Sequence, residues 1–192
     1  CESNDEIAQS TNSYGVRNLV QAADRAGAQM VQISTDYVFD GTLGRPYIES
    51  DTTNPLSVYG KTKLEGEKAV REGDLLVRTS WLCGTHGSNI LKTIIALAQQ
   101  DKALTFVNDQ IGHPSFTSDI ALVISNLIDV EAKGTFHVTN QGAVSWFEFA
   151  QTVLNSMGRS PAQVSPTTTA ELRPPRAAVR PANAALQNDA LQ

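Results

Sequence analysis

The sequence is poor in the residues that disulfide frameworks and metal centres need. It has two cysteines, Cys1 and Cys83, and three scattered histidines in 192 residues, so it offers neither a disulfide framework nor ligands at metal spacing. It has no apolar run near the roughly 18 residues that cross a bilayer, and residues 1–20 lack the basic-then-apolar order of a signal peptide. We therefore expect free thiols, no metal, no membrane contact and a cytoplasmic location.

Positive charge is also scarce. Fifteen Lys and Arg residues against twenty Asp and Glu residues give a net charge of −5. This balance disfavours binding to nucleic acid or to an anionic membrane. The 41% of hydrophobic residues is enough to build a buried core and excludes a wholly disordered chain.

A Gly-x-Gly-x-x-Gly phosphate turn is missing from the chain, although strand and helix patterns alternate along it. Helices are predicted over residues 4–26, 57–71, 89–100, 117–128 and 145–157, and strands over 29–34, 74–79, 104–107 and 134–139. This alternation predicts an α/β fold with a parallel sheet. The elements look like the later strands of a Rossmann-like, doubly wound sheet whose first strands are not in the sequence.

Tyr59 and Lys63 lie four residues apart on the predicted helix 57–71. Residues at this spacing share one helix face and can reach a common ligand. A neighbouring ammonium group favours the phenolate and lowers the pKa of a tyrosine, as in an acid/base pair. The alternative is a chance pairing, because the motif alone is weak.

Polar side chains follow two of the predicted strands directly. Thr35 and Asp36 come after strand 29–34, and Trp81 comes shortly after strand 74–79. In open α/β sheets, ligands bind at the carboxyl ends of the strands. The alternatives are ordinary turn chemistry for Thr35 and Asp36, and a core position for Trp81.

Several longer strings carry a resemblance to a known family. They are Ile33-Ser34-Thr35-Asp36-Tyr37-Val38-Phe39-Asp40-Gly41, Pro46-Tyr47, Asn54-Pro55, Tyr59-Gly60-Lys61-Thr62-Lys63 with Gly66-Glu67, Arg78-Thr79-Ser80-Trp81, Asp109-Gln110-Ile111-Gly112 with Pro114, Ser145-Trp146-Phe147-Glu148-Phe149-Ala150, and Arg180-Pro181 with Asn183. Together they resemble the dTDP-4-dehydrorhamnose reductases, a family of extended short-chain dehydrogenases. Against that family the chain lacks roughly the first third of the nucleotide-binding domain, and we interpret it as N-terminally truncated.

The resemblance implies roles for individual residues. Tyr59 would protonate the C4 carbonyl oxygen of the sugar while NADPH or NADH supplies a hydride, and Lys63 would bind the nicotinamide ribose. Thr35 would polarise the same carbonyl as a third catalytic residue. The implied cofactor-binding residues are Tyr59, Lys63 and Ile33, and the implied substrate-binding residues are Thr35, Asp36, Tyr37 and Trp81.

The resemblance also implies a domain division and partners. Residues 1–107 would be the C-terminal part of the NAD(P)-binding domain, and residues 108–192 would be a small α/β substrate lobe, with the two interleaved. A dTDP-sugar would be the substrate and a homodimer is possible. Some family members use a divalent cation, but no acidic cluster in this sequence supports one.

Two other functions remain open from the sequence. One is a non-catalytic regulatory subunit similar to the methionine adenosyltransferase beta subunit, and the other is a nucleotide-sugar epimerase or dehydratase. Thr35 and Trp81 favour a reductase over the regulatory subunit, with Trp81 the better discriminator. The preference between NADH and NADPH cannot be predicted, because the loop that reads the ribose 2′ position lies outside the sequence.

Overall fold

The computed structural model describes residues 1–100 and 102–192. The strands are β1 (Val31–Thr35), β2 (Leu75–Thr79), β3 (Leu82–Cys83), β4 (Leu104–Val107), β5 (Ile111–Gly112), β6 (Ser115–Phe116), β7 (Gly134–His137), β8 (Val144–Ser145) and β9 (Val164–Thr167). The helices are α1 (Asp5–Gln9), α2 (Gly15–Ala26), α3 (Val58–Glu67), α4 (Ile90–Ala98), α5 (Thr117–Asp129) and α6 (Trp146–Ser156). A π-helical turn, Ser10–Tyr14, joins α1 to α2.

A parallel sheet holds β1, β2 and β7 in that order. Thr35 at the end of β1 lies opposite Thr79 at the end of β2. The central strand β2 is buried along its whole length, as is usual in parallel sheets covered by helices. Both carboxyl ends lie at the same edge of the sheet, which is where the sequence predicts a ligand site.

Two apolar clusters support this sheet and the elements beside it. The first cluster joins the sheet to α5 through Leu75, Val77, Ile120, Leu127 and Val138. The second joins α4 and α6 to the parallel pair β4 and β9, through Cys83, Ile94, Ala98, Leu104, Phe149, Ala150, Val153, Leu154 and Val164. Strand β7 pairs with β2, and strand β9 pairs with β4. Residues before and after position 107 therefore contribute to both clusters. The predicted division at residue 107 stays a prediction.

Helix α3 is set close to the end of β1 by its first turn. The Ser57 hydroxyl oxygen caps the helix by accepting a hydrogen bond from the backbone N–H of Gly60 at 3.1 Å. A β-carbon at Gly60 would collide with the carbonyl oxygen of Tyr37. Glycine at this position therefore lets α3 approach the segment after β1, and this brings Tyr59 to that segment.

The predicted elements are found, with small shifts at their ends. The predicted helix 4–26 is divided into α1, the π-helical turn and α2, which ends at Gly27. Ser145 and Glu148 form the capping box that opens α6. The short strands β3, β5, β6 and β8 and the later strand β9 were not predicted. In the described part of the chain, no helix is long and apolar enough to cross a membrane.

Candidate active site

Thr35 is the centre of a polar cluster at the carboxyl end of β1. Its hydroxyl donates to Asp36 Oδ1 at 3.0 Å and accepts the backbone N–H of Tyr37 at 3.2 Å. The side chain of Thr35 also lies near that of Tyr59, close enough to influence the pKa of the phenol. The rings of Tyr37 and Tyr59 meet edge to face, with their centroids 5.7 Å apart. The structure thus brings four of the predicted site residues into one cluster.

Lys63 lies one helical turn beyond Tyr59 and reaches back to β1. Its Nζ donates to the carbonyl oxygen of Ile33 at 2.6 Å. Burial lowers the pKa of Lys63, and the nearby carboxylate of Glu67 opposes that effect. Ile33 itself is exposed, so its main chain and the Lys63 ammonium group face the same accessible edge.

The pKa of Tyr59 moves in the direction opposite to the one expected from its spacing to Lys63. Burial raises this pKa above its usual value, and the hydrogen bond with Thr35 opposes the rise. The expected lowering by Lys63 was wrong for this structure, because desolvation of the phenolate dominates. Tyr59 is consequently a protonated phenol at neutral pH.

Asp36 is a buried acid with an unfilled hydrogen-bonding position. Only 3% of the residue is exposed. Its Oδ2 atom is buried and has no hydrogen-bond partner among the residues that the structure describes. Burial raises the pKa of Asp36 to about 7, although the hydrogen bond from Thr35 and the charge of Arg180 act against the rise.

Trp81 packs against a second tryptophan, and its predicted contact with the sugar stays a prediction. Its indole stacks on that of Trp146, with ring centroids 3.4 Å apart and planes 9° from parallel. Its backbone has φ of 43°, an unusual value for a bulky residue. Such strain is often retained where a side chain has to be aimed. Trp146 was missed as a site residue because the stack joins residues far apart in sequence.

A cavity of about 280 Å³ lies beside this indole stack. It is lined by Ile90, Thr105, Phe106, Val107, Trp146, Leu172, Arg176 and Arg180. The charge of Arg180 also acts on Asp36 and Tyr37, which connects the cavity electrostatically to the cluster around Thr35. Arg176 was not predicted as a site residue, because the sequence shows only an arginine in a proline-rich segment and no motif around it.

A buried ion pair lies behind Thr35. Arg78 donates to Glu67 Oε2 at 2.8 Å through Nη2 and to Glu67 Oε1 at 3.1 Å through Nε. The Ser34 hydroxyl also donates to Glu67. Glu67 follows Tyr59 and Lys63 at four-residue spacing on α3, so the ion pair with Arg78 and the bond from Ser34 tie this helix to β1 and β2. Sequence reasoning quoted both residues without predicting their contact.

Two remaining points concern Gln110, which belongs to one of the family-like strings, and metals. Gln110 is buried and donates to the hydroxyl of Thr169 at 2.8 Å, so its amide serves the packing of that segment. Within residues 1–100 and 102–192, no group of three or more His, Cys, Asp or Glu side chains is arranged to hold a metal ion.

A parallel α/β sheet with a tyrosine and a lysine at its carboxyl edge defines a Rossmann-like protein of the short-chain dehydrogenase type. More narrowly, the chain belongs to the family described as the RmlD substrate binding domain, whose model matches residues 1–192. The family resemblance and the fold class expected from the sequence are therefore confirmed.

Curated relatives and solved structures agree with this assignment. A dTDP-4-dehydrorhamnose reductase from Streptomyces griseus is 40% identical over 189 residues, which are 94% of this chain and 62% of that protein. A solved reductase of the same name from Clostridium acetobutylicum is 45% identical with a TM-score of 0.92, covering 98% of this chain and 67% of that one. Another, from Bacillus anthracis in complex with NADP, is 38% identical with a TM-score of 0.93, covering 99% and 68%.

The relatives are longer than this chain, and some solved structures with the same fold are much less similar in sequence. This chain spans 60–63% of the first three curated relatives. A dTDP-glucose 4,6-dehydratase from Streptomyces venezuelae is 17% identical with a TM-score of 0.80, covering 98% of this chain and 61% of that one. At that identity the likeness shows the fold alone.

Proposed function

We propose that this chain carries the catalytic tyrosine and the sugar-binding side of an NAD(P)H-dependent reductase. The reaction is reduction of the C4 ketone of dTDP-4-dehydro-L-rhamnose to the alcohol of dTDP-L-rhamnose, a precursor of cell-surface polysaccharide. The observation that carries the proposal is the position of Tyr59 beside Tyr37 and Thr35 at the end of β1, one helical turn from Lys63 on the same strand edge. The names of relatives at 36–40% identity support the same reaction.

Tyr59 and Thr35 do the acid chemistry in this proposal. A carbonyl that receives a hydride develops negative charge on its oxygen, and a nearby phenol can neutralise that charge with its proton. Burial raises the pKa of Tyr59, so the phenol is protonated when the reaction starts. The Thr35 hydroxyl lies close enough to Tyr59 to hydrogen-bond the same oxygen.

The residues at the edge of β1 fit a nicotinamide nucleotide. When bound, that cofactor supplies the hydride. Lys63 Nζ is anchored to the carbonyl oxygen of Ile33 at 2.6 Å and keeps two further N–H donors for the ribose hydroxyls. Ile33 is exposed beside it and Tyr59 completes the edge. We leave open whether NADPH or NADH is used, and the cluster supports no role for a divalent cation.

The sugar nucleotide would extend from Thr35 toward the two arginines. Asp36 and Tyr37 are close enough to Thr35 to contact the sugar. The cavity beside them presents Arg176 and Arg180, which suit a diphosphate. Because Trp81 stacks on Trp146, we propose that the joined indole surface forms the apolar wall beside the 6-deoxy end of the sugar.

A reductase is favoured over the two other functions considered. Three relatives at 36–40% identity are named as reductases. The dTDP-glucose 4,6-dehydratase structure from Streptomyces venezuelae shares 17% identity. A regulatory subunit without catalysis would have no use for the protonated phenol of Tyr59 beside Thr35.

Location and assembly are finer parts of the proposal. We propose a cytoplasmic enzyme, because the exposed Cys1 and the buried Cys83 are both free thiols. A homodimer is proposed on the family resemblance alone, and light scattering of the purified protein would test it. A net charge of −5 disfavours nucleic acid and anionic membranes as partners.

The decisive test is Tyr59→Phe, which keeps the ring and removes the proton. With dTDP-4-dehydrorhamnose and NADPH, kcat should fall by about 10²–10⁴, as is typical for loss of a general acid. Cofactor affinity should change little. The exposed Tyr14 gives a matched control, Tyr14→Phe, that should leave kcat unchanged. Near-full turnover by Tyr59→Phe would mean that the proton comes from another group and that the mechanism is wrong.

Lys63→Met tests the cofactor side separately. It removes the ammonium group that faces the ribose, so kcat and NADPH affinity should fall together. The control is Lys61→Met, an exposed lysine on the same helix. If Lys63→Met binds NADPH as tightly as the wild type, Lys63 does not hold the ribose.

A further inference from the structure

Helix α3 is attached to strand β1 at two neighbouring residues. Lys63 Nζ donates to the carbonyl oxygen of Ile33 at 2.6 Å, and one turn later the Glu67 carboxylate accepts a hydrogen bond from the Ser34 hydroxyl. Residues four apart share one helix face, so both contacts come from the same side of α3. The position of the Lys63 ammonium group along β1 is therefore tied to that of Glu67.

The Glu67 carboxylate is itself held firmly. Both of its oxygens accept from the Arg78 guanidinium, Oε2 from Nη2 at 2.8 Å and Oε1 from Nε at 3.1 Å. The guanidinium lies over the Phe39 ring, and its Nη1 donates to the carbonyl oxygen of Glu49 at 3.4 Å. The side chains of Glu67 and Arg78 are 5% and 8% exposed. Since an arginine keeps its charge and its fork needs two acceptor oxygens, Glu67 is held there as a fixed negative charge.

This fixed charge lies one helical turn from Lys63. Burial acts against the ammonium form of Lys63 and lowers its pKa, whereas the charge of Glu67 acts for that form. Tyr59, one turn before Lys63 on the same face, is uncharged while its phenol is protonated. From β1 the group that faces Lys63 is the uncharged carbonyl oxygen of Ile33, and the Arg78 charge from β2 is paired with Glu67.

We propose that Glu67 is a positioning residue: it holds Lys63 as an ammonium group at the place along β1 where Lys63 meets the nicotinamide ribose. This inference rests on the proposed reductase function. Because its side chain is buried, Glu67 acts through Lys63 in two ways. The bond from Ser34 fixes where α3 lies along β1, and the negative charge keeps the third proton on Nζ. That ammonium group then has two N–H donors for the ribose besides the one given to Ile33.

Two variants separate this role from ordinary support of the fold. Glu67→Gln keeps the size of the side chain and removes its charge, but it leaves the buried Arg78 unpaired, so its folding has to be checked by urea unfolding. The double variant Glu67→Met with Arg78→Met removes both charges and fills the space with apolar atoms. Such an exchange of a buried ion pair is often neutral or stabilising. Glu65→Gln is the matched control, because Glu65 is a carboxyl near the surface of the same helix that pairs with Lys68.

A ¹³C titration of the lysine ε-carbons reads the charge of Lys63 without cofactor or turnover. The Lys63 resonance is identified by its loss in Lys63→Met. In the double variant its titration midpoint should lie about one pH unit below that of the wild type, because the carboxylate is gone and the burial remains. The fall should be at least as large in Glu67→Gln, which keeps the Arg78 charge nearby. Glu65→Gln should leave the midpoint unchanged.

NADPH binding, followed by calorimetry, tests the consequence for the cofactor. At pH 8 the double variant should bind NADPH about tenfold more weakly than the wild type, on the order of losing one hydrogen bond to a charged group. The difference should grow as the pH rises through the lowered midpoint of Lys63. A general loosening of the fold would weaken binding without following that titration. Glu65→Gln should bind NADPH like the wild type.

Three outcomes overturn the inference and leave the proposed function standing. If the double variant keeps both the Lys63 midpoint and the NADPH affinity, the ion pair only supports the fold. If the midpoint falls while the affinity stays, the charge of Lys63 does not serve the ribose. If the affinity falls while the midpoint stays, the loss comes from a disturbed fold. A wild-type protein that neither binds nor oxidises NADPH refutes the proposed function instead, and the inference falls with it.

Discussion

Replacing Asp36 by Asn should stabilise the protein above neutral pH. Burial raises the pKa of Asp36 from 3.8 to about 7 in the folded protein. Between pH 3.8 and about pH 7, Asp36 therefore holds its proton in the folded protein but has lost it in the unfolded chain. Stability is therefore lost as the pH rises through this window, and the loss is complete above the folded pKa. Asn carries no charge and escapes that loss.

The size of the effect follows from the shift. Each pKa unit corresponds to about 1.4 kcal/mol. Between pH 5 and pH 8 the folded wild type should lose about 2.7 kcal/mol through Asp36, because the loss accumulates over the two units from pH 5 to pH 7. The free energy of unfolding of Asp36→Asn, relative to wild type, should accordingly improve by about 2–3 kcal/mol over the same range.

Urea unfolding at pH 5 and pH 8 measures this difference directly. Comparing the two pH values cancels the fixed effect of placing an amide in the site. Asp129→Asn, which removes an exposed carboxyl, should show no such change with pH. If the gap between Asp36→Asn and wild type is equal at both pH values, Asp36 is ionised in the folded protein throughout. The argument from burial would then be refuted.

Two further substitutions test the support of the site. Glu67→Gln leaves the buried Arg78 charge without its partner, so it should lower the free energy of unfolding in urea by about 3–5 kcal/mol. Glu65→Gln breaks an exposed pair with Lys68 and is the matched control. It should lower the free energy of unfolding by less than about 1 kcal/mol. Equal effects would mean that the buried pair does not hold α3. Gly112→Ala would bring a β-carbon to 2.6 Å from Trp81 Cε2 and should disturb the indole stack. It should raise the KM for the sugar and weaken the near-UV circular dichroism of the stack, and an unchanged spectrum would contradict this.

The elements that sequence could predict are those with a repeating local signal. The start of the helix 145–157 can be predicted from Ser145 and Glu148, because a capping box needs only residues three apart. Strands of two residues, such as β3 and β5, are too short to show any periodicity. Strand β9 contains Pro166, which sequence reasoning takes as a signal against a strand. Its pairing with β4 is set by tertiary contacts.

The same division holds in the site. Tyr59 and Lys63 lie one turn apart on α3, so their shared face could be predicted from spacing alone. The stack of Trp81 on Trp146 joins two separate segments, and spacing carries no information about it. The pair of Glu67 and Arg78 likewise joins a helix to a strand. Contacts of this kind depend on how the elements pack, which the sequence pattern does not determine.

The wrong sign for the Tyr59 pKa shows why spacing alone could not settle the chemistry. Helical spacing brings Lys63 near Tyr59, but it does not tell how strongly burial desolvates the phenolate. Burial dominates here, and Lys63 Nζ is hydrogen-bonded to the carbonyl oxygen of Ile33. A raised pKa suits a proton donor better than a lowered one, because the phenol has to be protonated when the ketone is reduced. The phenolate left behind is then a strong base, so it has to regain a proton before the next turnover.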